Sequence, residues 1–161
     1  GTESVPLIVG MYEALKLSEE NREQESKRLA ELRDYLFDSI KKSIPDMVLN
    51  GHPTNRLPNN MHISIPSIEG ESIVLMLDEK GIQVSTGSAC SSHDLEVSHV
   101  LKAIYLRPSR ELASSDQNLM HGSVRFSLGK DTTKDGIDYC VQELAGIATH
   151  LKSMSPLTMN L

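Results

Sequence analysis

At 161 residues, 39% apolar and 24% charged, the chain has the length and balance of one globular domain able to bury a core. Its net charge of −6, with no Lys/Arg cluster, excludes a nucleic-acid or anionic-membrane surface as its working face, so proteins and small molecules are the expected partners. Two cysteines without metal-ligand or disulfide spacing point to a reducing compartment, the cytoplasm by default, and no apolar run is long enough to span a bilayer.

Val5, Ile8, Val9, Tyr12 and Leu15 recur at helical spacing and predict a first amphipathic helix, with Thr2 as a candidate cap. Ser18 before Glu19 and Glu20 reads as the start of a second, long helix. Its buried stripe is Leu29, Leu32, Leu36 and Ile40, the charges from Arg22 to Arg28 are its solvated face, and Pro45 ends it. A short strand over Met47 to Leu49 leads into a Pro/Asn/Gly-rich loop from Gly51 to Asn60, whose His52 and Arg56 could approach a ligand, although exposed polar loop residues usually have no such role. Met61, Ile63 and Ile65 alternate with His62 and Ser64 in a strand with one buried face, closed by Pro66. Gly70 to Lys80 is helical, with Ile73, Val74 and Leu77 inward and Gly81 where a left-handed cap is wanted. A strand from Ile82 to Ser85 follows.

The next stretch, Ser85-Thr86-Gly87-Ser88-Ala89-Cys90-Ser91-Ser92, sets one thiol among small residues that cannot bury it, between two ordered elements. A thiol placed so is better suited to chemistry than to packing, although a cysteine of unknown context is most often a small buried hydrophobe. Cys140 is the contrast: with Ile137, Leu144, Ile147 and Leu151 it lies on the apolar face of a helix and is read as core. Val97 to Leu106 is helical, and Arg107 to Met120 is polar and irregular. In the strand Val124 to Leu128, Arg125 leaves the face opposite the three apolar residues. Thr132 and Asp135 form a candidate capping box for a last helix ending near Leu151, and Ser153 to Leu161 is a tail. The expected fold is α+β: a small antiparallel sheet with helices packed on one side.

Gly70-Glu71-Ser72, Ser85 through Ser92, and Val124-Arg125-Phe126-Ser127-Leu128-Gly129 together resemble the pyridoxal-phosphate cysteine desulfurases of the nitrogen-fixation and iron–sulfur-assembly type, within the class V aminotransferases. The likeness runs from Gly1-Thr2-Glu3-Ser4 to about Leu151 and covers the C-terminal part of that family. It implies the small C-terminal domain of a fold-type I enzyme, with residues 1–17 as a linking helix region and 152–161 as a tail. The larger domain, with the lysine that holds the cofactor as a Schiff base, would precede Gly1. Two departures stand out: Ser114 to Met120 intervene before His121, and Tyr105 takes a place the family gives to Gly.

By the resemblance, Cys90 is the catalytic thiol that takes sulfur from L-cysteine as a persulfide, leaving L-alanine and passing the sulfur to an acceptor or iron–sulfur scaffold protein. The resemblance also makes Arg125 the clamp for the substrate carboxylate, although an Arg in a strand is more often solvated. It assigns Thr2 a reach across a homodimer interface to the partner's cofactor phosphate; this reading and the helix cap both stand open. Pyridoxal phosphate would be bound mainly by the missing domain, and no metal, nucleic-acid or membrane site is expected. Lys80, Lys102 and Lys130 are read as surface residues, so the chain alone is expected to be inactive. Competing readings are a sulfur-relay or docking module without cofactor chemistry, a redox-sensing thiol, and a selenocysteine lyase-like enzyme.

Overall fold

The computed structural model describes residues 1–86, 98–105 and 114–155, the side chains of 114–117 apart. The first element is one continuous helix, α1 (Val5–Ser43), of 39 residues and about 58 Å. The two helices expected here are therefore joined. Nothing between Lys16 and Ser18 breaks the pattern, and a Ser inside a helix costs less than about 0.7 kcal/mol, too little to stop one flanked by good helix formers. Ser4, not Thr2, occupies the cap position, and it makes no side-chain capping bond; Pro6 in the first turn sets the backbone angle instead. At the other end Lys41 and Lys42 face the negative pole of the helix dipole. Lys41 Nζ also donates to the carbonyls of Pro45 at 2.7 Å and Met47 at 3.1 Å.

Three strands form one antiparallel sheet in the order β1 (Val48–Leu49), β2 (Asn60–Ser64) and β3 (Ser123–Ser127). Met61 pairs with Phe126 and Ile63 with Val124, so one face of the sheet is apolar. It packs on Leu36 and Ile40 of α1, Ile73 and Leu77 of α2 (Gly70–Asp78), and Ile137, Cys140 and Leu144 of α5 (Lys134–Met154). The core thus lies between the sheet and helices on one side, as the alternation of Met61, Ile63 and Ile65 requires. Cys140 is buried in it.

Two glycines permit the tight join between α2 and β3. A Cβ on Gly70 would lie 2.3 Å from the Ser123 carbonyl oxygen, and one on Gly122 would lie 2.1 Å from that of Ile65. No side chain fits either place. Gly81 takes the left-handed φ of +75° that its position after α2 predicts, with its N–H on the Asp78 carbonyl and the Ile82 N–H on that of Leu77.

Four further expectations are corrected. The strand over Ile82 to Ser85 reduces to a single bridge, Ser85 with Arg125, because this segment meets only the outer edge of β3. Ser114 to Met120, within the stretch read as irregular, belongs to helix α4 (Ser114–His121), which buries Met120. The cap of α5 is Thr133, whose hydroxyl accepts from the Gly136 N–H, while Thr132 accepts from Gly129 in the preceding turn. Arg28 is not merely solvated: it donates to the carbonyls of Gly129, Lys130 and Thr132 and fastens α1 to the turn that precedes α5. From there α1 and α5 run side by side in the same direction, joined by the Tyr35 hydroxyl on Asp138 and by Lys152 on Asp46 at 2.5 Å.

The two halves of α1 differ. Residues 1–24 are exposed throughout, and the stripe of Val5, Ile8, Val9, Tyr12 and Leu15 stands bare, as do Leu7 and Met11. The helix that holds Ile40 at 0% exposure leaves Leu7 at 75%.

Candidate functional site

The second face of the sheet is polar, and the register sets one row across it. His62 on β2 lies directly opposite Arg125 on β3, Ser85 pairs with Arg125 on its other side, and the Asn50 N–H bonds to the His62 carbonyl at 2.8 Å. Asn50, His62, Arg125 and Ser85 therefore stand side by side, at strand spacings of about 4.8 Å. Directly opposed residues in antiparallel strands share a face, so the Arg125 guanidinium and the His62 imidazole emerge together.

Each end of the row is fixed. Asn50 is buried with both ends of its side chain used: Nδ2 donates to Ser64 Oγ at 2.9 Å, and Oδ1 accepts from the Tyr105 hydroxyl at 2.7 Å. Tyr105 ends α3 (His99–Tyr105), so this bond brings that helix to the polar face. Arg56, a loop residue that the sequence left open as able to approach a ligand, donates through Nη2 to the Asn50 carbonyl at 2.5 Å and through Nε to the His52 carbonyl at 2.9 Å. At the opposite end, Ser85 and Arg125 exchange both backbone hydrogen bonds, at 2.7 and 3.2 Å, and Arg125 Nη2 donates to Ser85 Oγ at 3.2 Å. None of the ion pairs among the described residues uses Arg125. The guanidinium is half-buried and held by a neutral hydroxyl, an arrangement that leaves its charge available for an anion.

The middle of the row is electrostatically unusual. Burial, followed by the guanidiniums of Arg125 and Arg56, pushes the His62 imidazole down to about 4, so it is neutral at physiological pH. Its Nε2 is enclosed and has no hydrogen-bond partner among the described residues. An enclosed polar atom left unpaired costs about 1–3 kcal/mol, so this nitrogen calls for a partner such as an ordered water.

The predicted site residues fall out unevenly. Arg125 leaves the polar face as its place in the alternation requires. Cys90 lies outside the described residues. Cys140 is confirmed as core: burial pushes its thiol up to about 11, which keeps it protonated and unreactive. Thr2 is exposed at the tip of the bare helical arm, far along the chain from the polar row. Lys80 pairs with Glu143 at 3.3 Å, and Lys130 lies on the turn that Arg28 grips. A single exposed hydroxyl and surface ammonium groups make no cradle for a phosphate-bearing cofactor, so the described residues do not by themselves fit pyridoxal phosphate.

Sequence reasoning missed His62 and Asn50, and it singled out Arg56 without showing what that side chain holds. The alternation did place His62 on the face opposite the core, but only the register shows that it stands beside Arg125.

Comparison with known proteins decides the family. The aminotransferase class-V family matches residues 1–140. The chain belongs to that family. Among class-V relatives it is 47% identical over 156 residues to the cysteine desulfurase IscS of Dictyoglomus turgidum, covering 97% of this chain and 37% of the relative. It is 44% identical over 158 residues to the IscS of Methanosarcina thermophila, and 38% identical over 157 residues to the cysteine desulfurase of Homo sapiens. A solved NifS-like protein superposes with a TM-score of 0.75 at 27% identity, over 94% of this chain and 35% of that one. The NifS-like protein of Rickettsia africae gives 0.74 at 25% identity, over 92% and 36%. The chain thus spans about a third of the length of the relatives it matches. No helix among the described residues is long and apolar enough to cross a membrane.

Proposed function

We propose that this chain is the small C-terminal domain of a cysteine desulfurase, the part that grips L-cysteine by its carboxylate and takes its sulfur. Two supports meet in this reading. The relatives named cysteine desulfurase match almost the whole chain, and the chain's own geometry sets Arg125, whose guanidinium is in no ion pair among the described residues, against Ser85, the residue from which the Cys90 stretch departs. That juxtaposition carries the proposal. A carboxylate on Arg125 would accept two parallel charge-assisted hydrogen bonds, which fix orientation as well as charge. Cys90 follows Ser85 by five residues, and five residues of chain reach at most about 18 Å. The acceptor thiol is thereby confined to the neighbourhood of a substrate held at Arg125.

Pyridoxal phosphate, which the remainder of the full-length protein would hold, would supply the electron sink for weakening a carbon–sulfur bond. The Cys90 thiolate would attack the substrate sulfur, a sulfur–sulfur bond forming as the carbon–sulfur bond breaks with its electron pair left to the carbon side, which takes up a proton and leaves as L-alanine. The Cys90 persulfide is then passed to a sulfur-acceptor or iron–sulfur scaffold protein. Cys140, protonated in the core, takes no part. The bare stripe of α1 suits a linking segment that lies against another part of the same protein or dimer, and Thr2 at its tip would reach a cofactor phosphate there. A homodimer working in the cytoplasm completes the reading.

The test is mass spectrometry of the full-length protein after incubation with L-cysteine. One added sulfur atom on the Cys90 peptide is expected, with none on Cys140. An unmodified Cys90 accompanied by alanine release would overturn the assignment.

A further inference from the structure

Both ends of Arg125 are tied to one residue. Its main chain exchanges two hydrogen bonds with Ser85, and the tip of its side chain donates from Nη2 to Ser85 Oγ at 3.2 Å. Ser85 Oγ in turn donates to the Thr86 carbonyl at 2.8 Å. Among the described residues no other side-chain hydrogen bond and no ion pair holds the guanidinium, and Arg125 keeps part of its surface exposed. We propose that Ser85 is the positioning residue of the clamp: its hydroxyl, oriented by the Thr86 carbonyl, aims the Arg125 guanidinium at the substrate carboxylate. The inference rests on the desulfurase reading and deepens it by naming a residue that acts on the substrate through Arg125.

The chemistry of a hydroxyl suits this task. It has a single O–H to give, and Thr86 takes it, so the oxygen can meet Arg125 only as an acceptor. The polarity of the contact is thereby fixed. A carboxylate in the same place would hold the guanidinium more tightly but would cancel its charge and compete with the substrate for it. A guanidinium has five N–H donors and two edges that each present a parallel pair. One bond to Ser85 spends at most one of those edges and leaves the other for a carboxylate. A long side chain whose tip is already held also loses less freedom when the ligand arrives, which strengthens binding without any new contact to the ligand.

The experiment measures dissociation constants of the full-length holoenzyme for L-alanine and for ethylamine, which differ only by the carboxylate. Ser85→Ala and Ser85→Val remove the hydroxyl; Ser85→Thr keeps it and matches Val in shape. Freeing the guanidinium should weaken L-alanine binding about three- to tenfold in the Ala and Val variants while leaving ethylamine within about twofold. The Thr variant should stay within about twofold of wild type for both ligands. Equal weakening of both ligands would mark a general structural role and overturn the proposal, as would unchanged L-alanine binding in whichever hydroxyl-less variant folds. A Thr variant that binds L-alanine as poorly as the Val variant would overturn it too, because the hydroxyl would then not be the agent. Arg125→Lys separates the two levels. If it weakens L-alanine binding and the Ser85 variants do not, only the Ser85 inference fails; if neither matters, the clamp and the reading built on it fail together.

Discussion

The two faces of the same three strands do opposite work with alternate residues. On one face Met61, Ile63, Val124 and Phe126 are closed against three helices; on the other His62 and Arg125 stand half-buried among hydrogen-bonded neighbours. The apolar face is satisfied by volume alone. The polar face is satisfied by geometry except at its centre, where one imidazole nitrogen and one guanidinium have capacity to spare. The difference teaches that the packed core and the polar row occupy opposite sides of one sheet, within two residues of each other in sequence.

Substitutions can break or sharpen that contrast. The largest expected effect is on the apolar face: Ile63→Ala should cost about 2–5 kcal/mol in urea unfolding of the chain, since it opens a cavity at a fully enclosed site. A loss below about 1 kcal/mol would deny that this face carries the stability.

The second effect belongs to the polar face and depends on pH. His62 titrates near 4 when folded and near 6.5 when unfolded, so the unfolded chain binds its proton first as acid is added. Its contribution is complete above about pH 6.5 and is lost as the pH falls toward 4. Between pH 7.5 and 5.0 the wild-type chain should lose about 2 kcal/mol that His62→Gln does not lose. Parallel pH curves for the two proteins would place the imidazole in solvent.

Third, Arg125→Lys in the full-length enzyme should raise the Michaelis constant for L-cysteine by more than tenfold, at least about 1.4 kcal/mol, while changing unfolding of the chain by less than about 1 kcal/mol. An unchanged Michaelis constant would remove the clamp. The smallest effect is expected on the arm, where Ile8→Glu should alter the unfolding free energy of the isolated chain by no more than about 0.5 kcal/mol, because Ile8 is exposed among the described residues. A large loss there would mean that the stripe is buried in solution.

Much of this was legible in the sequence. Period-two alternation gave β2 and β3 their inner and outer faces, and helical spacing gave the stripes of α1 and α5, because burial imposes those periods directly. Cys140 as core and Gly81 as a left-handed cap were read from position alone. The misses share a cause. The merging of two helices into α1, the helix over Ser114–His121 and the shift of a cap from Thr132 to Thr133 depend on small local energies that composition does not resolve. Arg28 and Arg56 depend on what lies opposite them more than a hundred residues away or across a loop, and no periodicity encodes that. The same holds for the candidate site. Arg125 was found through its motif, while His62 became visible only once the register of two strands 60 residues apart was known.

The attachment of Ser85 has a mechanical meaning. It meets the sheet through one rung, whereas β2 and β3 are joined by five consecutive pairs. Tension arriving along the backbone from the Cys90 side would therefore open that rung and stop there, sparing the larger ladder. Ser85 would then work as a fuse, reset by re-forming two main-chain bonds with Arg125.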